Sequence, residues 1–209
     1  MDLNATQEKI LTDKAFVIEE VQRIQFFYGL KMEIRYGEIR KDMTESVAEH
    51  IYGMHVLAEY FMQLEDDTQT WNRENIYSMI TWHDMDELET GDMIGYKKTD
   101  ADRQREATAI KTVINKAPAV LRTRIAEIIS AYQKQETVEA RFVKAIDKIK
   151  PLFQIYTQNG KEILLRNKTT LEDSRRIKDT YVEAFPYMKQ FNEILNTTMD
   201  KEGFYMKVS

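Results

Sequence analysis

Seven glycines and three prolines are all that punctuate 209 residues, and the long stretches between them place apolar side chains every three or four positions rather than every two. That spacing is the period of an α-helix. The chain is therefore expected to be all-α, with helices over roughly 5–29, 45–63, 73–88, 100–117, 120–132, 136–158 and 171–197. No internal repeat, low-complexity tract or linker-like composition marks a boundary, so residues 1–209 read as a single helical bundle. A chain of this length buries a substantial core without help from a disulfide or a structural zinc.

Cysteine is absent, which removes disulfides, thiol nucleophiles and cysteine-ligated zinc and fits a reducing compartment. Any metal must then be held by histidine and carboxylate. The opening MDLNATQEKILTDKAFVIEE lacks the basic, apolar and small-residue sections of a secretory signal, and no apolar run approaches the length of a membrane span. The expectation is a soluble, cytoplasmic protein with no membrane partner. A formal net charge of −5 opposes a broad phosphate-backbone interface, so polymeric nucleic acid is a poor partner, whereas a single nucleotide needs only a few local cations.

Three of the expected helices carry chemistry. In TESVAEHIYGMHVLAEYF, Ser46 and Glu49 have the spacing of a capping box, and Val47, Ile51, Met54, Ala58 and Phe61 form an apolar stripe that contains His50. His55 lies about 140° further around and leaves that stripe. In ITWHDMDELETGDMIGY, His83 continues the buried face of Ile76, Met79 and Ile80, with Asp84 beside it and Glu87 one turn on. Asp86, Glu87, Glu89 and Asp92 crowd behind. Such density is either a solvated acidic helix end or half of a metal site, and in the metal reading Asp86 and Glu89 are expected to lie exposed as helix-end charges. Acids at a helix C-terminus oppose the macrodipole, so helix stability does not account for them. In VEARFVKAIDKIKPLFQIY, Phe142, Ile146, Ile149, Phe153 and Tyr156 form a core stripe with Asp147 at its edge, where Lys144 offers one partner. Pro151 has no amide for the carbonyl of Asp147.

His50, the adjacent His83 and Asp84, and Asp147 supply two imidazoles and two carboxylates. Mixed nitrogen and oxygen donors suit one divalent ion of cobalt, manganese, magnesium, iron or zinc, with room left for water or phosphate if the ion is octahedral. Such an ion lowers the pKa of bound water and neutralises a phosphate oxygen during in-line attack. Glu87 and Asp92 are then free to position water or to pass a proton.

The segments ESVAEHIYGM, WHDMDELETGD and EARFVKAIDKI, in this order, resemble the HD-domain metal-dependent phosphohydrolases, in the branch that contains the 5′-deoxynucleotidases. The likeness runs from about Val21 to Tyr156, with an echo in the final helix over 171–197. It implies an all-α HD fold and a metal held by His50, His83, Asp84 and Asp147. It also implies that Glu87 and Asp92 serve catalysis, that Arg35 in LKMEIRYGEIR grips a 5′-phosphate, and that Tyr36 flanks the nucleoside or packs in the core. The implied reaction is hydrolysis of a deoxynucleoside 5′-monophosphate to nucleoside and phosphate, in a homodimer.

Two departures concern the substrate. Where related chains continue with a proline-containing loop, this one has MIGYKKTD, and the tryptophan often found near the substrate arginine is absent from Met32 to Arg40. Lys97 and Lys98 either supplement Arg35 on phosphate or form a solvated basic pair. A loop altered beside the phosphate leaves open a (deoxy)nucleoside triphosphate or a signalling nucleotide as substrate. A non-enzymatic helical protein that binds metal or nucleotide is the reading from another class, and Glu87 and Asp92 argue against it, since a structural site has no use for spare acids.

Overall fold

The structure, a computed structural model, describes residues 3–27, 45–66, 68–90, 99–117 and 119–207, and the described residues form twelve α-helices and no strand. The all-α expectation is met. The chain divides into two compact units, Met1–Thr70 with Ala145–Ser209, and Trp71–Lys144.

The first unit opens with α1 (Leu3–Thr12) and α2 (Lys14–Phe27), where one helix over 5–29 was expected. Asp13 makes the break: its carboxylate accepts the Phe16 amide at 3.1 Å, so it starts a second helix rather than continuing the first. Helix α3 (Val47–Glu65) begins as its sequence predicts. The Ser46 hydroxyl accepts the Glu49 amide at 3.2 Å, while the Glu49 carboxylate accepts the Ser46 amide at 2.6 Å. This box fixes the first turn of α3, which contains His50.

The rest of this unit comes from the C-terminal part of the chain. Helix α8 (Val138–Ile155) crosses the boundary at Ala145, and it carries Pro151 inside. Helix α9 (Gln158–Arg166), absent from the expected set, starts at Thr157, whose hydroxyl accepts the Gly160 amide at 3.1 Å. Only glycine fits at 160, because a Cβ there would overlap the Ile155 carbonyl.

The single helix expected over 171–197 is three: α10 (Leu171–Arg176), α11 (Asp179–Val182) and α12 (Pro186–Lys201). Pro186 explains the last break. It disfavours helical backbone at Phe185 and, lacking an amide, fits the first turn of a new helix. Helix α12 buries Met188, Phe191, Leu195 and Met199 and packs on α1, α2, α3, α10 and α11. Phe191 stacks on Phe153 at 5.7 Å and meets Phe61 edge-on at 5.2 Å, giving the unit an aromatic centre.

The second unit contains α4 (Arg73–Trp82), α5 (Glu87–Thr90), α6 (Asp100–Lys116), α7 (Ala119–Lys134) and the start of α8. Met85, Ile125 and Ile129 form its buried centre, with Trp82, Ile110, Val113 and Ile114 packed around them. Asn72 caps α4 by accepting the Asn75 amide at 3.0 Å, and its own amide donates to Glu139 of α8 at 3.0 Å. The helix expected over 73–88 stops at Trp82. Residues 83–86 form turns in which the Met85 and Glu87 amides reach back three residues, to Trp82 and Asp84, and α5 resumes at Glu87. Among the described acids, Asp84 and Asp86 fall in the turn and Glu87 and Glu89 in the first turn of α5, where the macrodipole favours them.

Candidate metal centre

In the first unit, His50 stands in the capped first turn of α3, half-buried, with its amide donating to the Ser46 carbonyl at 2.9 Å. Its Nε2 lies 3.5 Å from Oδ1 of Asp147 on α8. The other carboxylate oxygen, Oδ2, pairs with Lys148 Nζ at 2.9 Å. On the opposite side of the imidazole, Nδ1 is 3.9 Å from Oε2 of Glu45, and Oε1 of Glu45 pairs with the ammonium of the fully buried Lys150. Lys144, the partner suggested for Asp147 by sequence spacing, donates instead to the Tyr132 hydroxyl at 3.0 Å.

In the second unit, His83 is the C-cap residue of α4, with its side chain fully buried. Its Nδ1 is 2.9 Å from the Ile80 carbonyl. A carbonyl oxygen only accepts, so Nδ1 carries the proton and, in the neutral ring, Nε2 carries the lone pair. That Nε2 lies 2.9 Å from Oδ2 of Asp84. Two acceptors at this separation repel unless a proton or a cation lies between them. The Tyr132 ring meets the imidazole edge-on at 5.6 Å and limits its rotation.

The acids that follow separate. Glu87 is half-buried in the first turn of α5, its amide donating to the Asp84 carbonyl at 3.1 Å. Glu89 is exposed and pairs with Lys116, as a helix-end charge should. Asp86 corrects the expectation of exposure: it is only 8% exposed, because the turn at 83–86 directs it inward while its carbonyl accepts the Glu89 and Thr90 amides. Asp92, Arg35, Tyr36, Lys97 and Lys98 lie outside the described residues. Sequence spacing pointed to neither the Ile80 carbonyl, Tyr132, Glu45 nor Lys150. Only Glu45 left a trace, standing within the quoted ESVAEH segment, whereas nothing in its spacing sets Lys150 apart from the neighbouring Lys144 and Lys148.

Each unit therefore brings one imidazole against one carboxylate, His50 with Asp147 and His83 with Asp84. The two pairs mark a helical protein of the histidine–aspartate class. Residues 28–189 match the family model described as HD domain, and the chain belongs to the HD domain family. It is 31% identical over 138 residues to the human 5′-deoxynucleotidase HDDC2, a match covering 64% of this chain and 65% of that protein. The Dictyostelium discoideum 5′-deoxynucleotidase HDDC2 is 28% identical over 145 residues, covering 66% and 76%. The chain thus spans just under two thirds of the length of the human relative. The crystal structure of a predicted metal-dependent phosphohydrolase from Magnetospirillum magnetotacticum MS-1 shares the fold with a TM-score of 0.68 at 18% identity, covering 89% of this chain and 98% of that one.

Proposed function

We propose that His50, His83, Asp84 and Asp147 together hold one divalent metal, and that the chain hydrolyses deoxynucleoside 5′-monophosphates to nucleoside and phosphate. The observation that carries this reading is His83: its Nδ1 proton is committed to the Ile80 carbonyl, and its Nε2 faces Asp84 Oδ2 at 2.9 Å. A cation held by His83 and Asp84 would offset that repulsion. The donor set fits, since two imidazoles and two carboxylates suit manganese, cobalt, iron, zinc or magnesium. The substrate comes from the relatives named 5′-deoxynucleotidase.

A metal at this centre supplies Lewis-acid stabilisation of phosphate charge and a lowered pKa for water. The chain's own groups do the rest. Glu87, close behind the His-Asp pair, takes the proton of the attacking water, with Asp92 orienting that water. Arg35 holds the 5′-phosphate through two hydrogen bonds, Tyr36 flanks the nucleoside, and Lys97 and Lys98 supplement Arg35 on the phosphate. Water attacks phosphorus, the ester bond breaks, and the nucleoside oxygen receives a proton. A cytoplasmic homodimer completes the proposal.

The test is reconstitution. Metal-stripped protein resupplied with cobalt, manganese, magnesium, iron or zinc is assayed for phosphate and pyrophosphate release from nucleoside mono- and triphosphates. Monophosphates should release phosphate, Asp84→Ala should abolish release, and Glu87→Ala should strongly reduce it. Activity that survives Asp84→Ala would overturn the metal mechanism, and release from triphosphates alone would move the substrate to the longer phosphate chain.

A further inference from the structure

Lys150 is a fully buried lysine on a helix whose other inward residues, Phe142, Ile146, Ile149 and Phe153, are apolar. An ammonium group at such a position costs several kcal/mol unless a carboxylate compensates it, and apolar side chains of similar volume are usually neutral or stabilising replacements. Stability alone therefore does not explain why lysine stands there. Its partner is Glu45, the residue immediately before the N-cap of α3. One carboxylate oxygen of Glu45 meets Lys150, and the other lies 3.9 Å from Nδ1 of His50.

Asp147 and Lys150 are one turn apart on α8, so the same stretch of helix presents opposite charges to the first turn of α3. Asp147 approaches His50 Nε2 at 3.5 Å, and Lys150 reaches Glu45, which faces Nδ1. Each imidazole nitrogen thus has a carboxylate in front of it. Glu45 precedes the helix, where the backbone does not restrain its side chain, and the buried ammonium supplies that restraint. At 3.9 Å the Glu45–His50 contact is longer than a hydrogen bond and within the reach of one side-chain rotation.

We propose that Glu45 and Lys150 form a positioning pair for His50: Lys150 anchors Glu45, Glu45 takes the Nδ1 proton as its hydrogen bond, and Nε2 is left with the lone pair that binds the metal. The arrangement mirrors His83, where a backbone carbonyl holds Nδ1. Outer partners of this kind orient the ring and raise its basicity as a ligand. The inference rests on the metal reading above.

The experiment measures cobalt(II) binding to the full-length apoprotein by titration calorimetry and by visible absorption of the ion, for wild type, Glu45→Gln and the double variant Glu45→Gln/Lys150→Met. The double variant removes both charges of the pair together, so its apoprotein should unfold at or above the wild-type temperature. Its cobalt affinity should nevertheless fall about 10-fold or more. Glu45→Gln alone should lose affinity to a similar degree, since Lys150 acts through Glu45. Long-range nitrogen NMR on the three histidines should find His50 protonated at Nδ1 in wild type and a tautomer mixture in the double variant. A double variant that binds cobalt as tightly as wild type overturns this inference alone. Wild-type apoprotein that takes up no cobalt overturns the metal reading and this inference with it.

Discussion

Replacing Glu65 by glutamine removes an ionisable group from the junction between α3 and α12 without removing its hydrogen bonds. The Glu65 Oε1 accepts the first-turn amides of α12, from Tyr187 at 3.0 Å and Met188 at 2.9 Å. Two effects compete for its charge. The amides and the positive helix end favour the carboxylate, whereas burial disfavours it, and burial prevails, raising the pKa from 4.5 to about 7. At about 1.4 kcal/mol per pH unit the displacement corresponds to about 3 kcal/mol, or about 2 kcal/mol once solvent around a half-buried carboxyl is allowed for. The folded chain holds the proton more tightly than the unfolded chain. The resulting stabilisation is fully present below pH 4.5 and is lost as the pH rises to about 7. Glutamine keeps an oxygen for both amides and never ionises. Urea unfolding of wild type and Glu65→Gln should therefore coincide near pH 4.5 and diverge with rising pH. At pH 8 the variant should be about 2 kcal/mol more stable, with a Tm about 4–8 °C higher. A variant that is less stable at pH 8, or a difference that does not change with pH, would mean that the amides and the dipole outweigh burial.

Lys178 is buried, with Nζ 3.1 Å from the Ser174 hydroxyl, and burial together with the nearby Lys148 charge pushes its pKa from 10.5 down to about 8. This penalty is fully present below pH 8 and is relieved as the pH rises toward 10.5, so Lys178→Met should be more stable than wild type at pH 7, by about 2 kcal/mol after the lost hydrogen bond, with the gain shrinking by pH 10 in urea melts. Phe191→Ala should cost about 3–5 kcal/mol by the same assay, because Phe61 and Phe153 both lose their central ring contact. Gly160→Ala should lower the thermal midpoint by several degrees through its clash with the Ile155 carbonyl, and an unchanged midpoint would mean that α9 shifts freely.

What the sequence made legible was whatever is decided within one or two turns of chain. The capping box at Ser46 and Glu49 formed as read, since both hydrogen bonds close inside four residues. The stripe of Met54, Ala58 and Phe61 is buried because a helix repeats every three or four residues whatever it packs against. Long-range partners left no such trace. Glu65 meets α12 across more than a hundred residues, and Lys150 meets Glu45 across nearly the same span. A lysine that finds a buried carboxylate cannot be told by spacing from one that faces water. Asp86 was misread for the same reason, because its burial depends on a turn that interrupts the helical period on which the reading relied.

The errors in helix boundaries and the selection of the two histidines have one origin. His50 lies in the first turn of α3, His83 is the C-cap of α4, Asp84 occupies the turn that follows, and the carbonyl of Asp147 faces the proline that withholds its amide. Every one of these residues stands where the helical hydrogen-bond ladder starts, stops or skips. At such points the backbone accepts small changes of direction at little cost, and free amides and carbonyls remain to fix a side chain, as the Ile80 carbonyl does for His83. A reading based on periodicity finds residues that continue a buried stripe, and so it reaches His50 and His83. It then extends the helix past them, because it sees no penalty for doing so. The four residues proposed as ligands stand at ladder ends, so the sequence pattern singles out candidates at the positions where it is least informative about the backbone.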